Sequence, residues 1–167
     1  MVREIKTYPD PVLAVRTEPI DAITDEVREL AQDMVETMYE NNGIGLAAPQ
    51  VGQACRVITV DISGPEKREN LLVVLNPAIT SAEGQTEYEE GCLSLPGFKG
   101  KVQRAERVVL TGMDLQGEDI TIEADGLLAV CLQHEVDHLE GTVLLDRASR
   151  LKRSMYQKKI KKCQKPT

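Results

Sequence analysis

The sequence lacks the features that mark membrane and secreted proteins. None of its 167 residues belong to an apolar run of the roughly 18 positions that a membrane-spanning helix needs. The first residues, MVREIKTYPDPVL, combine charges and two prolines, which does not predict a secretory signal. We therefore expect a cytoplasmic protein with no membrane partner. Its four cysteines are expected to stay reduced, because the cytosol disfavours disulfides.

Internal repeats, low-complexity blocks and interdomain linkers are also missing. A chain of 167 residues is large enough for one hydrophobic core without disulfides. The sequence therefore predicts a single domain over residues 1–167, with a basic helix or tail at about 148–167.

Acidic residues are missing from the C-terminal end. Residues 1–146 contain 27 acidic and 11 basic residues, a net charge of −16, whereas the last 21 residues contain nine basic residues and no acidic one. This asymmetry indicates that the two parts meet different partners. Leu151, Met155 and Ile160 are spaced so that one face of a helix could pack back on the body. The lysines left on the other face would be Lys158, Lys159, Lys161, Lys162 and Lys165.

Hydrophobic spacing and turn residues predict an α+β fold with mainly antiparallel sheet. Thr24 can cap a first helix over about 25–42, whose apolar face includes Leu30 and Met34. A second helix is predicted over about 126–139, before Gly141, and a third from about 148 into the tail. The β-rich segments between the helices lie near 56–62, 71–76, 84–90, 101–113 and 118–124.

The only two histidines of the chain lie in one motif, His134-Glu135-Val136-Asp137-His138, within the second predicted helix. A separation of four residues places both rings on one helical face, about 6 Å apart, which suits two ligands of one metal ion. The glutamate after the first histidine can act as general base on a water at the metal. A helix with two ordinary histidines is the alternative interpretation.

A catalytic metal normally has three protein ligands, so a third must come from elsewhere. A third histidine is excluded, and no acidic residue follows Asp146, which excludes a glutamate from a later helix. Cysteine is the best remaining ligand type. Cys131 lies about 10 Å along the helix axis from His138 and is assigned to packing or pocket lining.

Cys92 is the best candidate for the third ligand. It follows a predicted strand in the loop-like segment Glu90-Gly91-Cys92-Leu93-Ser94, whereas Cys55 lies in a strand-like segment and Cys163 in the basic tail. A small buried hydrophobic residue is the alternative interpretation of Cys92.

Three segments together resemble the motifs of the peptide deformylase family. They are GIGLAAPQ at 43–50, EGCLS at 90–94, and QHEVDHLEG at 133–141, in the family's order and spacing. The surrounding helices and strands fit as well, so the resemblance covers essentially the whole chain. It implies an enzyme that removes the formyl group from N-formylmethionine at the start of nascent proteins.

The resemblance also implies a role for each motif residue. Cys92, His134 and His138 would hold one divalent ion, natively Fe²⁺ in many members, with zinc, nickel or cobalt as possible occupants. Glu135 would be the general base. The side-chain amide of Gln50 and the backbone N–H of Leu93 would stabilise the oxyanion, as implied catalytic groups.

Further residues would bind the substrate. Main-chain groups of Ile44 and Gly45 would bond an extended peptide. Leu127, Val130 and Cys131 lie seven, four and three residues before His134, so they would place an apolar surface beside the metal for the methionine side chain. Ordinary core packing is the alternative for these positions.

Two implications concern the rest of the nascent chain. Lys99 stands where many relatives have an arginine, and it keeps the charge without the bidentate fork. The basic C-terminal helix would dock on the ribosome surface near the exit tunnel. A solvated charged tail is the alternative interpretation of this segment. No DNA partner is expected.

Two other functions would account for part of the sequence. A zinc endoprotease could use the same helix, but it would lack its usual third ligand and would not explain the 43–50 motif. A catalytically silent ribosome-binding module would not need Glu135, Gln50 or three ligands.

Overall fold

A computed structural model describes residues 1–164 of the chain. The helices are α1 (Asp25–Glu40), α2 (Gly64–Lys67), α3 (Gly126–Leu139), α4 (Leu144–Arg147) and α5 (Arg150–Gln164). The strands are β1 (Gly45–Ala47), β2 (Val57–Val60), β3 (Leu72–Glu83), β4 (Thr86–Gly91), β5 (Lys99–Arg104), β6 (Arg107–Met113) and β7 (Asp119–Asp125). Two short 3₁₀ turns cover Pro11–Ala14 and Ala48–Val51.

Two antiparallel sheets form the framework. The larger has the strand order β1-β2-β3-β6-β7, and the smaller pairs β4 with β5. The α+β single-domain fold with mainly antiparallel sheet is thus confirmed. Helix α3 packs on the larger sheet, where Ala129, Leu132 and Leu139 share a buried cluster with Ile58 and Leu110. The helix with the histidine motif is therefore fixed by the core, which positions its polar face rigidly.

Helix α1 begins and ends near the predicted positions. The Thr24 hydroxyl accepts a hydrogen bond from the Val27 amide at 3.3 Å, which satisfies one of the free N–H groups at the helix start. Met34 and Met38 are fully buried, as the helical spacing of apolar residues requires. Beyond the helix, Asn42 adopts a left-handed conformation with φ +57°, and the chain turns into the 43–50 segment.

A buried polar contact ties α1 to the end of β2. The Tyr39 hydroxyl donates to the Asp61 carboxylate at 2.6 Å, and the Ser63 amide and hydroxyl donate to the same group. Burial opposes ionisation of Asp61, but these hydrogen bonds outweigh it and hold its pKa below the ordinary value. Burial and the same contact raise the pKa of Tyr39 to about 12.

The predicted β-rich segment 101–113 is wrong as one element. It contains two strands, β5 and β6, that belong to different sheets and are separated at Ala105 and Glu106. The continuous alternation of apolar and polar residues hid this break, because neither residue is a strong turn former. The short elements β1, α2 and α4 were also not predicted, since three or four residues are too few for a periodic pattern.

The face on which α5 packs was predicted correctly at Ile160 and wrongly at Leu151 and Met155. Leu151 and Met155 are 71% and 62% exposed, whereas Tyr156 is 5% exposed and Ile160 packs partly against the same cluster. The buried face therefore includes positions 156 and 160 but not 151 and 155. It is rotated from the predicted face by about 100°, the angle between consecutive residues of a helix. Lys165 lies outside the described residues. Within residues 1–164, no helix is both long and apolar enough to cross a membrane.

Candidate active site

Three predicted ligand atoms come together where β4 ends beside α3. Cys92 follows β4 directly, and His134 and His138 lie one turn apart on α3 with ring centroids separated by 5.1 Å. The potential ligand atoms of these residues all lie within 4.8 Å of one another. Metal–ligand bonds of about 2.0–2.3 Å bring the ligands of one ion to within about 4 Å of each other. Only small side-chain movements would therefore let these three groups share an ion.

The ring nitrogens of the histidines are arranged for this use. Nδ1 of His134 lies 3.0 Å from a Glu90 carboxylate oxygen, and Nε2 of His138 lies 3.4 Å from the Cys92 sulfur. A carboxylate can only accept a hydrogen bond, so Nδ1 of His134 donates to Glu90 and Nε2 is the nitrogen left to face a metal. Burial disfavours the charged ring, but the Glu135 charge and the hydrogen bonds to Cys92 and Glu90 outweigh it and raise the pKa of His134 well above its ordinary value, so a metal would replace a proton at Nε2. Burial, with the nearby charges of His134 and Arg104, lowers the pKa of His138 well below its ordinary value, which favours the neutral form that a metal needs.

Glu90 is held in its ionised form by a buried arginine. Nε and Nη2 of Arg104 each donate to one Glu90 oxygen at 2.9 Å, and Nη1 donates to Asp137 at 2.6 Å. Burial disfavours the charge on Glu90, but the hydrogen bonds from His134 and Arg104 outweigh it and lower its pKa. Arg147 extends the network, since its Nη2 donates to Asp137 at 2.8 Å. A chain of charge-assisted bonds thus orients the first histidine.

Glu135 points its carboxylate into the same space. It is 4% exposed, and within the described part of the chain its Oε1 has no hydrogen-bond partner. Burial raises the pKa of Glu135 to about 7. A Cβ atom placed on Gly45 would collide with this carboxylate, so the absence of a side chain there makes room for it. The group is buried, unpaired and close to the ligand atoms, as a proton carrier would need to be.

Gln50 has its amide oriented by its surroundings. The oxygen accepts from the Ala47 backbone at 2.9 Å, so the NH₂ group faces Ser94 at 3.1 Å and the Cys92 sulfur at 3.6 Å. The side chain is 2% exposed and lies next to the potential ligands. A fixed donor at this position can stabilise negative charge that develops beside it.

An open cleft of about 720 Å³ leads to these groups. One wall comes from 42–45 and another from 88–93, while the segment 95–99 lines a third side. Eleven of the twelve predicted site residues line the cleft. They are Ile44, Gly45, Gln50, Cys92, Leu93, Lys99, Leu127, Val130, Cys131, His134 and Glu135. His138 is 1% exposed and lies behind them.

Several residues of the site were not predicted. The sequence indicates Glu90 only as part of a motif, and it indicates no role for Arg104, Asp137 or Ser94. Arg104 could have been predicted from the sequence, because it occupies the third inward-facing position of the strand β5, in which exposed and buried residues alternate. A charged residue at such a position needs a buried partner of opposite charge.

A helix with two histidines one turn apart, a glutamate after the first, and a cysteine facing them defines a class of enzyme, the metal-dependent hydrolases. The donor set fits a borderline divalent ion, since it combines one thiolate with two neutral imidazoles.

Comparison with known proteins narrows the class to one family. The model of the family described as polypeptide deformylase matches residues 2–154. A peptide deformylase of Thermodesulfovibrio yellowstonii is 52% identical over 160 residues, 96% of this chain and 97% of that protein. One of Neisseria gonorrhoeae is 48% identical over 163 residues, 98% of this chain and 96% of that protein.

A solved structure gives the same result. The crystal structure of a peptide deformylase from Legionella pneumophila matches with a TM-score of 0.91 at 39% identity, and the match covers 99% of this chain and 100% of that chain. The chain belongs to the polypeptide deformylase family. The resemblance of the three motifs is thereby confirmed, and with it the family's reaction, hydrolysis of the N-formyl group of nascent polypeptides.

Proposed function

We propose that Cys92, His134 and His138 hold one divalent metal ion, and that Glu135 moves the protons needed to release formate from N-formylmethionyl peptides. The compact trio of ligand atoms, with an unpaired buried carboxylate beside it, is the observation that carries this proposal. Bound there, the ion would supply Lewis acidity, polarising the formyl carbonyl and making water acidic enough to lose a proton near neutral pH. Fe²⁺ is our proposed native occupant, with Zn²⁺, Ni²⁺ or Co²⁺ as possible substitutes.

Glu135 works as general base and then as general acid. Its carboxylate accepts a proton from the attacking water, and the water oxygen forms a bond to the formyl carbon. The C–N bond then breaks, and Glu135 returns the proton to the leaving amine, which gives formate and a free N-terminus. A pKa of about 7 lets the same group take and give a proton near neutrality.

Two donors stabilise the oxyanion that forms on the formyl oxygen. The NH₂ group of Gln50 is already turned toward Cys92, and the backbone N–H of Leu93 follows Cys92 directly in the chain. Removing one such donor costs about 10²–10³-fold in turnover in well-studied enzymes.

The cleft accommodates methionine and the residues after it. Leu127, Val130 and Cys131 form its apolar wall on α3, which suits a flexible thioether side chain. Main-chain groups of Ile44 and Gly45 bond the peptide backbone, and Lys99 contacts a later residue of the nascent chain.

The test compares wild-type protein with Glu135→Gln. Formate released from formyl-Met-Ala-Ser is measured anaerobically, and bound metal is quantified in both proteins. We expect the variant to keep its metal and to lose at least about 10²-fold in turnover. Comparable turnover would exclude Glu135 as the proton carrier, and cleavage of internal peptide bonds by the wild type would favour the endoprotease interpretation.

We also propose that the protein acts in the cytoplasm and that α5 docks it on the ribosome near the exit tunnel. Lys158, Lys161 and Lys162 are exposed on this helix, and the described residues offer them no ion-pair partner. Phosphate contacts of this kind depend strongly on salt, at roughly one unit of log–log slope per contact.

Neutralising these three lysines to glutamine tests the docking without shortening α5. We expect weaker co-sedimentation with ribosomes, most clearly at low salt, and unchanged turnover of a short formylated peptide. Removing residues 158–167 should act in the same direction. Equal ribosome affinity of the wild type and the lysine variant would refute the docking and support a merely solvated tail.

A further inference from the structure

One side of the cleft is formed by a short segment whose exposed and buried residues alternate irregularly. Residues 95–99, here called the rim loop, all line the cleft; they come after β4 and end at Lys99, the first residue of β5. Two turn hydrogen bonds shape it, from the Leu95 amide to the Cys92 carbonyl at 3.0 Å and from the Phe98 amide to the Leu95 carbonyl at 3.1 Å. Pro96, Gly97 and Lys99 are exposed, whereas Leu95 and Phe98 are buried in the cluster behind the loop, so the contacts of that cluster set the position of the loop.

Helix α5 supplies such a neighbour through Tyr156. Its hydroxyl donates to the Pro96 carbonyl at 3.1 Å. Its ring meets the Phe98 ring edge-on, with centroids 5.3 Å apart and an interplanar angle of 74°. The Tyr8 ring also packs against the Tyr156 ring, with centroids 6.2 Å apart. Tyr156 therefore holds the rim loop by one hydrogen bond and one aromatic contact.

Two lysines of the same helix face contact the rim loop as well. Nζ of Lys152 lies 3.3 Å from the Lys99 carbonyl. Nζ of Lys159 would be 3.3 Å from a Cβ placed on Gly97, so it lies beside that residue. Positions 152, 156 and 159 are four and three residues apart, which places them in one row along α5. The helix thus lies along the back of the rim loop rather than at a distance from the cleft.

Apolar packing does not explain why residue 156 carries a hydroxyl group, because phenylalanine would fill the same space. A hydroxyl buried in an apolar cluster is unfavourable unless it forms a hydrogen bond. Tyr156 sits in the cluster of Leu13, Leu95, Val102 and Leu145, and its bond to the Pro96 carbonyl is the contact that the hydroxyl adds. That bond acts on the backbone of the rim loop.

We propose that Tyr156 is a positioning residue for substrate binding: it fixes the rim loop so that the cleft can bind the peptide beyond the formylmethionine. This rests on the proposed function of the cleft. The residues that perform the chemistry lie on α3, on 43–50 and at Cys92 and Leu93, whereas Tyr156 has its hydrogen bond and ring contacts with Pro96, Phe98 and Tyr8. Its loss therefore weakens binding of longer peptides and leaves the chemical step intact, which appears as a change in KM rather than in kcat.

The experiment compares Tyr156→Phe, which keeps the ring and removes the hydroxyl, with the wild type on two substrates. For formyl-Met-Ala-Ser we expect KM to rise about 2- to 10-fold, the range that one hydrogen bond supports, with kcat retained. For N-formylmethionine amide, which has no residues that reach the rim loop, we expect KM to stay the same. Met155→Ala, the exposed neighbour on α5, is the matched control and should change neither value.

A second readout keeps the test independent of activity. Amide exchange at Gly97 and Phe98 should be faster in Tyr156→Phe than in the wild type or in Met155→Ala, since the loop loses an anchor. An equal KM change for both substrates, or unchanged KM for the tripeptide, would overturn the proposal. Absence of deformylation by the wild type would instead reject the proposed function, while the exchange rates would still report whether Tyr156 holds the loop.

Discussion

Replacing Gly45 by alanine tests whether the room left for Glu135 is needed for catalysis. Gly45 is the first residue of β1, and its missing side chain faces the Glu135 carboxylate. A Cβ there would meet both the carboxylate oxygen and, at 3.0 Å, the Glu135 carboxyl carbon. The carboxylate oxygen would be closer to this Cβ than real Cβ atoms come to other atoms, so either the glutamate or β1 must move.

The effect on turnover follows from how far the carboxylate is displaced. β1 pairs with β2 and packs under α3, so its backbone resists movement and the Glu135 side chain must yield. A shift of about 1 Å at a reacting group can cost about 10²-fold in rate. We expect Gly45→Ala to lose at least about 10²-fold in kcat, while overpacking lowers the stability by about 1–3 kcal/mol.

Three measurements decide the outcome. Formate release gives kcat, metal analysis shows that the ligand set is intact, and thermal unfolding shows that the variant is folded at the assay temperature. Gly43→Ala is the matched comparison, because its Cβ would meet the flexible end of Leu93 at 3.0 Å, so it should lose much less activity. Full activity of a folded, metal-containing Gly45→Ala protein would refute the reasoning.

The sequence predicted those parts of the fold in which apolar residues recur at a regular spacing. Helices α1 and α3 match their predicted ranges to within about two residues, because each has a long apolar face and a recognisable start or end. The division of 101–113 into two strands was missed, since which sheet a strand joins depends on partners far away in the chain. The packing face of α5 was missed for a related reason. The apolar residues of α5 lie on two faces of the helix, and contacts with the rest of the protein determine which face is buried.

The sequence selected most of the residues that the structure brings together at the cleft. The two histidines and Cys92 could be proposed as ligands because chemistry limits the residue types that bind a metal, and the motifs limited the positions. The structure brings their ligand atoms together, and their role as ligands stays a prediction. The residues that orient these side chains were not predicted. Arg104 on β5 contacts Glu90 on β4 and Asp137 on α3, and contacts between residues so far apart in the sequence cannot be read from it. Tyr156 was missed too, since it contacts the rim loop from a helix whose buried face was predicted to contain Leu151, Met155 and Ile160.

Cys92→Ala should lose stoichiometric metal, measured by metal analysis after dialysis, whereas Cys163→Ala should keep it; the reverse pattern would exclude Cys92 as a ligand. Tyr39→Phe should unfold at a higher pH than the wild type when acid titration is followed by circular dichroism. Asp61 has a lowered pKa in the fold, so its contribution to stability is present above the unfolded pKa of about 3.9 and is lost as the pH falls through the folded value. Losing the Tyr39 hydroxyl raises that folded value, and an unchanged acid transition would contradict this. Arg104→Met should cost about 3–5 kcal/mol of stability, because it leaves a buried carboxylate without its bidentate partner. The same change frees the carboxylate that orients the first histidine, so metal affinity should fall by about 10- to 100-fold. A destabilised variant with wild-type metal affinity would show that Arg104 supports the core and not the metal site.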